Sequence, residues 1–96
     1  MRKIEQQMVS AVNNIQHNQG AKGWSNSNTI VVNAGDRAKV FLHGNHIADV
    51  FNTGVLDVNT QTLRQWSTPT TKSRLRALGA NVSTRKGVTY LNNVAI

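Results

Sequence analysis

Cysteine is absent from the chain, and with it go the disulfide staple, the thiolate nucleophile and the cysteine-ligated zinc site. Acids are nearly as scarce, four Asp and Glu against eleven Lys and Arg in 96 residues. So few carboxylates leave little from which to assemble a general acid and base. No Ser sits in a nucleophile-elbow context, and no phosphate loop of the Walker type occurs. The chain is therefore expected not to be an enzyme and to need no cofactor. No apolar run approaches 18 residues, which excludes a spanning helix, and the first 20 residues carry Gln and Asn where a signal peptide has an apolar centre. A cytoplasmic protein without a membrane anchor is expected.

What is present is one modest core and a large neutral polar complement. A chain of 96 residues fits one domain. Ile4, Met8, Val12 and Ile15 recur at helical spacing and predict a short amphipathic helix over residues 3–17, ended by Gly20 and Gly23. Glu5 and the neighbouring Gln and Asn residues fall mostly off that stripe. Trp24 follows in a polar GWSNSNT turn and is expected to plug a core edge. Residues 29–33, 38–42, 46–51 and 55–58 are short β-prone runs separated by Ala34-Gly35-Asp36, His43-Gly44-Asn45 and Asn52-Thr53-Gly54. Blocks this short suit an antiparallel meander, in which Ile47 requires an irregular strand to share a face with Val50. Residues 60–67 read as an irregular connection or one helical turn, with Leu63 and Trp66 closing the bottom of the core.

Thr68-Pro69 then reads as an N-cap followed by proline at the first helical position, with Thr70 as a rival cap. Thr71, Leu75 and Leu78 share one face of this second helix, and Gly79 suits the residue after its C-cap. Two β-prone runs flank Lys86-Gly87 over residues 81–92, the pattern of a tight hairpin. The predicted fold class is α+β: N-terminal helix, antiparallel meander of three or four short strands, second short helix and C-terminal hairpin.

Charge is distributed unevenly along this order. Residues 1–63 nearly balance, whereas from Leu63 to the C-terminus every charged side chain is positive: Arg64, Lys72, Arg74, Arg76, Arg85 and Lys86. The second helix begins with Lys72 and Arg74 and no acid, although a helix N-terminus favours anions. Thr70, Thr71 and Ser73 add hydroxyls to that turn. Together they form a candidate anion or nucleic-acid site, in which Lys72 and Arg76 at i,i+4 repel unless an anion lies between them. Arg74 is expected either to be exposed as a ligand or to be tied to Asp49 or Asp57. A helix followed by a basic hairpin suggests a winged DNA-binding domain, but residues 55–67 offer no clear partner helix, so backbone contact to nucleic acid is the simpler reading. Trp24, Trp66 and Tyr90 are candidate stacking groups, each with a core role as its plainer alternative. His43 and His46 lie three apart with Asp49 three further on, but Gly44-Asn45 interrupts any helical metal face, and His43 is read as a strand-end hydrogen-bonding residue.

Three segments together, MRKIEQQMVSAV, VFLHGNHIADV and WSTPTTKSRLRALGANVSTRKGVTYLN, resemble a group of small, mostly uncharacterised proteins of tailed bacteriophages. The resemblance is carried most specifically by Leu42-His43-Gly44-Asn45 with Ile47-Ala48, and by Trp66 through Leu78. Gln65 departs from the glycine of that pattern, and Pro69 interrupts its threonine run. The resemblance implies origin in an infected bacterial cell and brings no catalytic residue or cofactor. The expectation is a basic phage protein that acts by binding, with nucleic acid as partner. The alternatives are a modulator docking on an acidic host protein and a minor structural or assembly protein capable of weak self-association.

Overall fold

A computed structural model describes all 96 residues. Helix α1 (Lys3–His17) buries Met8, Val12 and Ile15, as their spacing predicts. The fourth buried position is Glu5, while Ile4 is only half-buried. Glu5 stands three residues before Met8, so it continues the 8–12–15 stripe through the first turn.

Five short strands follow: β1 (Trp24–Asn26), β2 (Thr29–Asn33), β3 (Arg37–Leu42), β4 (Asn45–Phe51) and β5 (Leu56–Val58). They pair antiparallel in chain order, the meander expected from strands too short and too closely spaced for crossovers. β1 is an addition to that expectation, because only the middle of the GWSNSNT segment turns and its first residues pair with Val31, Ile30 and Thr29. Alternation sorts the side chains. Thr29, Val31, Ala38, Val40, Leu42, Ala48 and Val50 are buried, against the helices. Ile30, Val32, Arg37, Lys39 and Phe41 lie on the opposite face, which no helix covers. The irregularity that Ile47 requires is a β-bulge. Val40 pairs with Ala48 and Phe41 with His46, so Ile47 has no partner and both Ile47 and Ala48 are buried.

Residues 60–65 form a short helix, α2 (Thr60–Gln65), capped by the Asn59 side chain accepting from the Thr62 N–H at 3.2 Å. Leu63 is buried beneath it. Helix α3 (Pro69–Ala77) starts as its sequence predicts, with Thr68 Oγ1 accepting from the Thr71 N–H at 3.1 Å and Pro69 at the first helical position. It ends in a Schellman arrangement: the Gly79 N–H reaches Arg76 O and the Ala80 N–H reaches Leu75 O, both at 3.0 Å, with Gly79 at φ +108°.

The chain closes with a second sheet of β6 (Val82–Arg85), β7 (Val88–Leu91) and β8 (Val94–Ala95). Lys86-Gly87 makes the first turn with φ of 49° and 79°, the expected hairpin. Asn92-Asn93, at 53° and 66°, makes a second two-residue turn and adds β8. The core lies between the inner face of the large sheet and α1, α2 and α3, with Val82 sealing one end.

Candidate functional site

The acid-free last third of the chain divides in three directions. Arg74 points inward. Its side chain is 4% exposed, its Nη1 donates to Glu5 Oε2 at 2.8 Å, and its Nε and Nη2 donate to Thr29 Oγ1 and Asn28 Oδ1. Ser73 Oγ also donates to Glu5 Oε2, at 2.6 Å. Of the two roles expected for Arg74, the structure shows the tied one, with Glu5 as partner rather than Asp49 or Asp57, and Ser73, a candidate anion ligand, donates to the same carboxylate. Burial by itself would raise the Glu5 pKa. The hydrogen bonds from Ser73, Arg74 and the Arg2 N–H, with the charge of Arg74, outweigh burial and hold the carboxyl below its ordinary range.

Lys72 and Arg76 turn the other way, onto β6. Lys72 is buried along its stem and its Nζ donates to Thr84 Oγ1; Arg76 is exposed and its Nη1 donates to Val82 O at 3.2 Å. These contacts set β6 alongside α3, running back toward the start of the helix. At the end of that seam stand Arg85 and Lys86, both exposed, with Arg85 stacked 5.1 Å over the Tyr90 ring and bonded to Asn93. Arg64 is exposed on α2, on a different element. Thr70 is half-buried and Thr71 is buried, its hydroxyl joined to that of Thr68 at 2.9 Å.

Of the eleven basic side chains, only Arg37 and Arg74 pair with a carboxylate. The four acids explain this pattern. Glu5 is consumed inside. Asp49 and Asp57 face each other across β4 and β5 on the uncovered sheet face, and Asp36 lies in the β2–β3 turn. There Arg37 bonds both Asp36 and Asp49, His46 Nε2 lies 2.6 Å from Asp49 Oδ1, and Lys39 stands opposite Asp49. Arg37 also lies 4.3 Å over the Phe51 ring. Charge on this face is locally matched, while the α3–hairpin side carries positive charge alone.

His43 is not part of the His46–Asp49 contact. It occupies the first turn position between β3 and β4 at φ +50°, followed by Gly44 at +78°, and is exposed. No three side chains of metal-ligating type converge anywhere.

Leu42, His43, Asn45 and Ile47 meet Thr62, Trp66, Thr68 and Thr71 around a surface hollow of about 420 Å³. Two segments some twenty residues apart thus converge at the end of the sheet. Leu42 and Ile47 supply a buried apolar floor. Trp66 does not close the core as expected. It terminates α2, its backbone N–H bonded to Thr62 O at 2.8 Å, and the residue is 52% exposed. Leu63 alone fills the core position, and Leu75 is buried with Leu78 packed beside the core.

Trp24 is half-buried at the edge of the core and also borders a wider groove of about 830 Å³ between α1 and β1. Lys3, Gln6, Gln7, Ser10, Asn14 and Lys22 line it. The sequence gives no reason to join Lys3 to Lys22, since only the return of β1 beneath α1 brings them together.

A family model described as Kyanoviridae Gp96 protein matches residues 1–95. No curated protein and no solved structure matches the chain. No helix is long and apolar enough to cross a membrane.

Proposed function

Because the chain belongs to the Kyanoviridae Gp96 protein family, a family of small tailed-phage proteins, we propose a binding function exercised in the cytoplasm of an infected bacterium: contact with the phosphate backbone of nucleic acid through the α3–hairpin side. It is a non-catalytic role. One observation carries it: the carboxylates are buried, as Glu5 is, or sit on the open sheet face and its turn, leaving Arg76, Arg85 and Lys86, with Arg64 on α2, free of acidic partners. A cationic surface without counter-charges attracts a polyanion and releases its condensed counterions on contact.

The segments Leu42–Asn45 with Ile47–Ala48 and Trp66–Leu78 are taken as the family's marks, a reading supported by the meeting of Leu42, His43, Asn45 and Ile47 with Trp66, Thr68 and Thr71 around one hollow. A second reading, docking on a host protein, draws on Ile30 and Val32, which are 39% and 40% exposed on the uncovered sheet face.

The test is binding of labelled DNA and RNA of random sequence as a function of salt. Four phosphate contacts correspond to a log–log slope of about −3.6 on duplex DNA, an affinity loss of about 150-fold between 50 and 200 mM salt. Replacing Arg64, Arg76, Arg85 and Lys86 by Gln is expected to flatten that slope. Absence of retention on either polymer in dilute buffer rejects the reading, and saturable capture by one host protein under the same conditions moves the assignment to the open sheet face.

A further inference from the structure

A tryptophan at the end of a two-turn helix has an easy way to bury itself by folding under α2, as Leu63 does. Trp66 instead stands 52% exposed at the rim of the 420 Å³ hollow. Half an indole left in water forgoes a large part of the burial energy available to so large a side chain. Around it the hollow combines an apolar floor, Leu42 and Ile47, with a rim of hydroxyl, amide and imidazole groups from Thr62, Thr68, Thr71, Asn45 and His43. No carboxylate lines it. Its size lies within the range of small-molecule sites and accommodates one planar ring system, with polar groups at the edges where such a ring carries its donors and acceptors.

The His43 side of the hollow is held in an unusual way. The β3–β4 turn has both central residues at positive φ, a geometry that Asn-Gly satisfies most cheaply. Here an imidazole takes the asparagine position, and the His43 N–H is fixed to Asn28 O at 2.8 Å. The turn therefore carries an imidazole at the lining of the same hollow that Trp66 borders.

We propose that this hollow receives an unpaired nucleobase, stacked on Trp66, so that the nucleic acid bound by the basic side is single-stranded. The proposal rests on the nucleic-acid reading above and narrows it. Duplex bases are already stacked and cannot enter. An unpaired base can, and an aromatic platform of this kind accepts any base because every base offers a π-face. Charge is compatible: no carboxylate lines the hollow, and Arg64, on the helix that Trp66 ends, is exposed without an acidic partner.

The experiment compares three labelled probes of equal length at one salt concentration with the full-length protein: oligo(dT), an abasic strand with the same number of phosphates, and a duplex. Wild type is expected to prefer oligo(dT) over the abasic strand by at least about fivefold, and binding is expected to quench tryptophan emission in a Trp24→Phe background. Trp66→Ala is expected to abolish the preference and leave both the abasic affinity and the thermal midpoint unchanged. His43→Asn, which keeps the turn, provides a second variant and is expected to reduce the preference. Oligo(U) in parallel separates RNA from DNA as the source of the base. Equal binding of oligo(dT) and abasic strands, or a preference that survives Trp66→Ala, overturns the stacking site while leaving backbone binding intact. Failure of all three probes to bind overturns both.

Discussion

Glu5 Oε2 accepts from Arg74 Nη1 at 2.8 Å across sixty-nine positions of chain, and each side chain is 4% exposed. The contact ties the first turn of α1 to the middle of α3 and reaches the sheet through Thr29, whose hydroxyl accepts from Arg74 Nε at 3.1 Å. No buried side-chain polar atom is left without a partner. In a protein of net charge +7, one of four acids and one of eleven cations thus cancel internally, and the remaining side chains carry the whole net charge.

Breaking one half of the pair strands the other as an uncompensated buried charge. Arg74→Met and Glu5→Leu are each expected to lower unfolding free energy by about 3–5 kcal/mol, whereas the double variant Glu5→Leu/Arg74→Met recovers most of that loss because neither charge remains. Urea titration of the four proteins checks this. Additive losses would mean that the two side chains act independently and that the ion pair has been misjudged.

The same carboxylate sets an acid limit. Its folded-state pKa is lowered, so the stability it contributes is fully present above its ordinary value of 4.5 and is lost as pH falls from there through the folded value. Melting temperature is therefore expected to fall steeply below about pH 4.5 in wild type and less steeply in Glu5→Gln. Equal slopes would place the acid sensitivity on another group.

Charge reversal separates the cations that fold the protein from those left for a partner. Lys72→Glu puts a carboxylate where an ammonium donates to Thr84 and is expected to cost about 1–3 kcal/mol. Lys86→Glu lies on an exposed turn and is expected to shift stability by no more than about 0.5 kcal/mol while weakening polyanion binding. Calorimetry and binding on the two variants must diverge in opposite senses. A Lys86→Glu protein that unfolds, with Lys72→Glu unaffected, would invert the division.

Local signals in the chain were sufficient for most elements. The Thr68-Pro69 start and Gly79 end of α3, the alternation in β2 and β3 and the Lys86-Gly87 turn each act over a few residues, and the structure follows them. The burial of Glu5 and Arg74 was harder to read, because charged residues are excluded from a predicted apolar face by habit of composition, although the 5–8–12–15 spacing includes Glu5. The exposure of Trp66 had no local signal at all. Leu63 is buried where Trp66 stays exposed, a difference set by tertiary packing rather than by the local sequence. The uneven charge was plain in the sequence, but which cations reach solvent depended on the Glu5 contact and on the lie of β6 against α3.

Gly23 offers the last and sharpest check on how β1 joins the sheet. A methyl group built there meets the Val31 carbonyl oxygen at 2.7 Å, and the obstacle is backbone in the paired strand rather than a side chain that swings aside. Gly23→Ala must therefore push β1 away from β2, straining the Trp24–Val31 pairing and the packing of Trp24 at the core edge. Gly20 lies three residues earlier, also without a positive φ, and its methyl would touch only Asn18 Oδ1 at 3.6 Å. Gly→Ala lowers unfolded-chain entropy similarly at both sites, worth about 0.4–1 kcal/mol where the native backbone accepts it. Gly20→Ala is accordingly expected to be neutral or slightly stabilising, and Gly23→Ala to cost about 1–3 kcal/mol from the forced displacement. Denaturant midpoints measure both, and amide exchange at Val31 and Ser25 reports whether the loss is local. If Gly23→Ala melts with wild type and retains slow exchange there, β1 does not lie against β2 in the observed register.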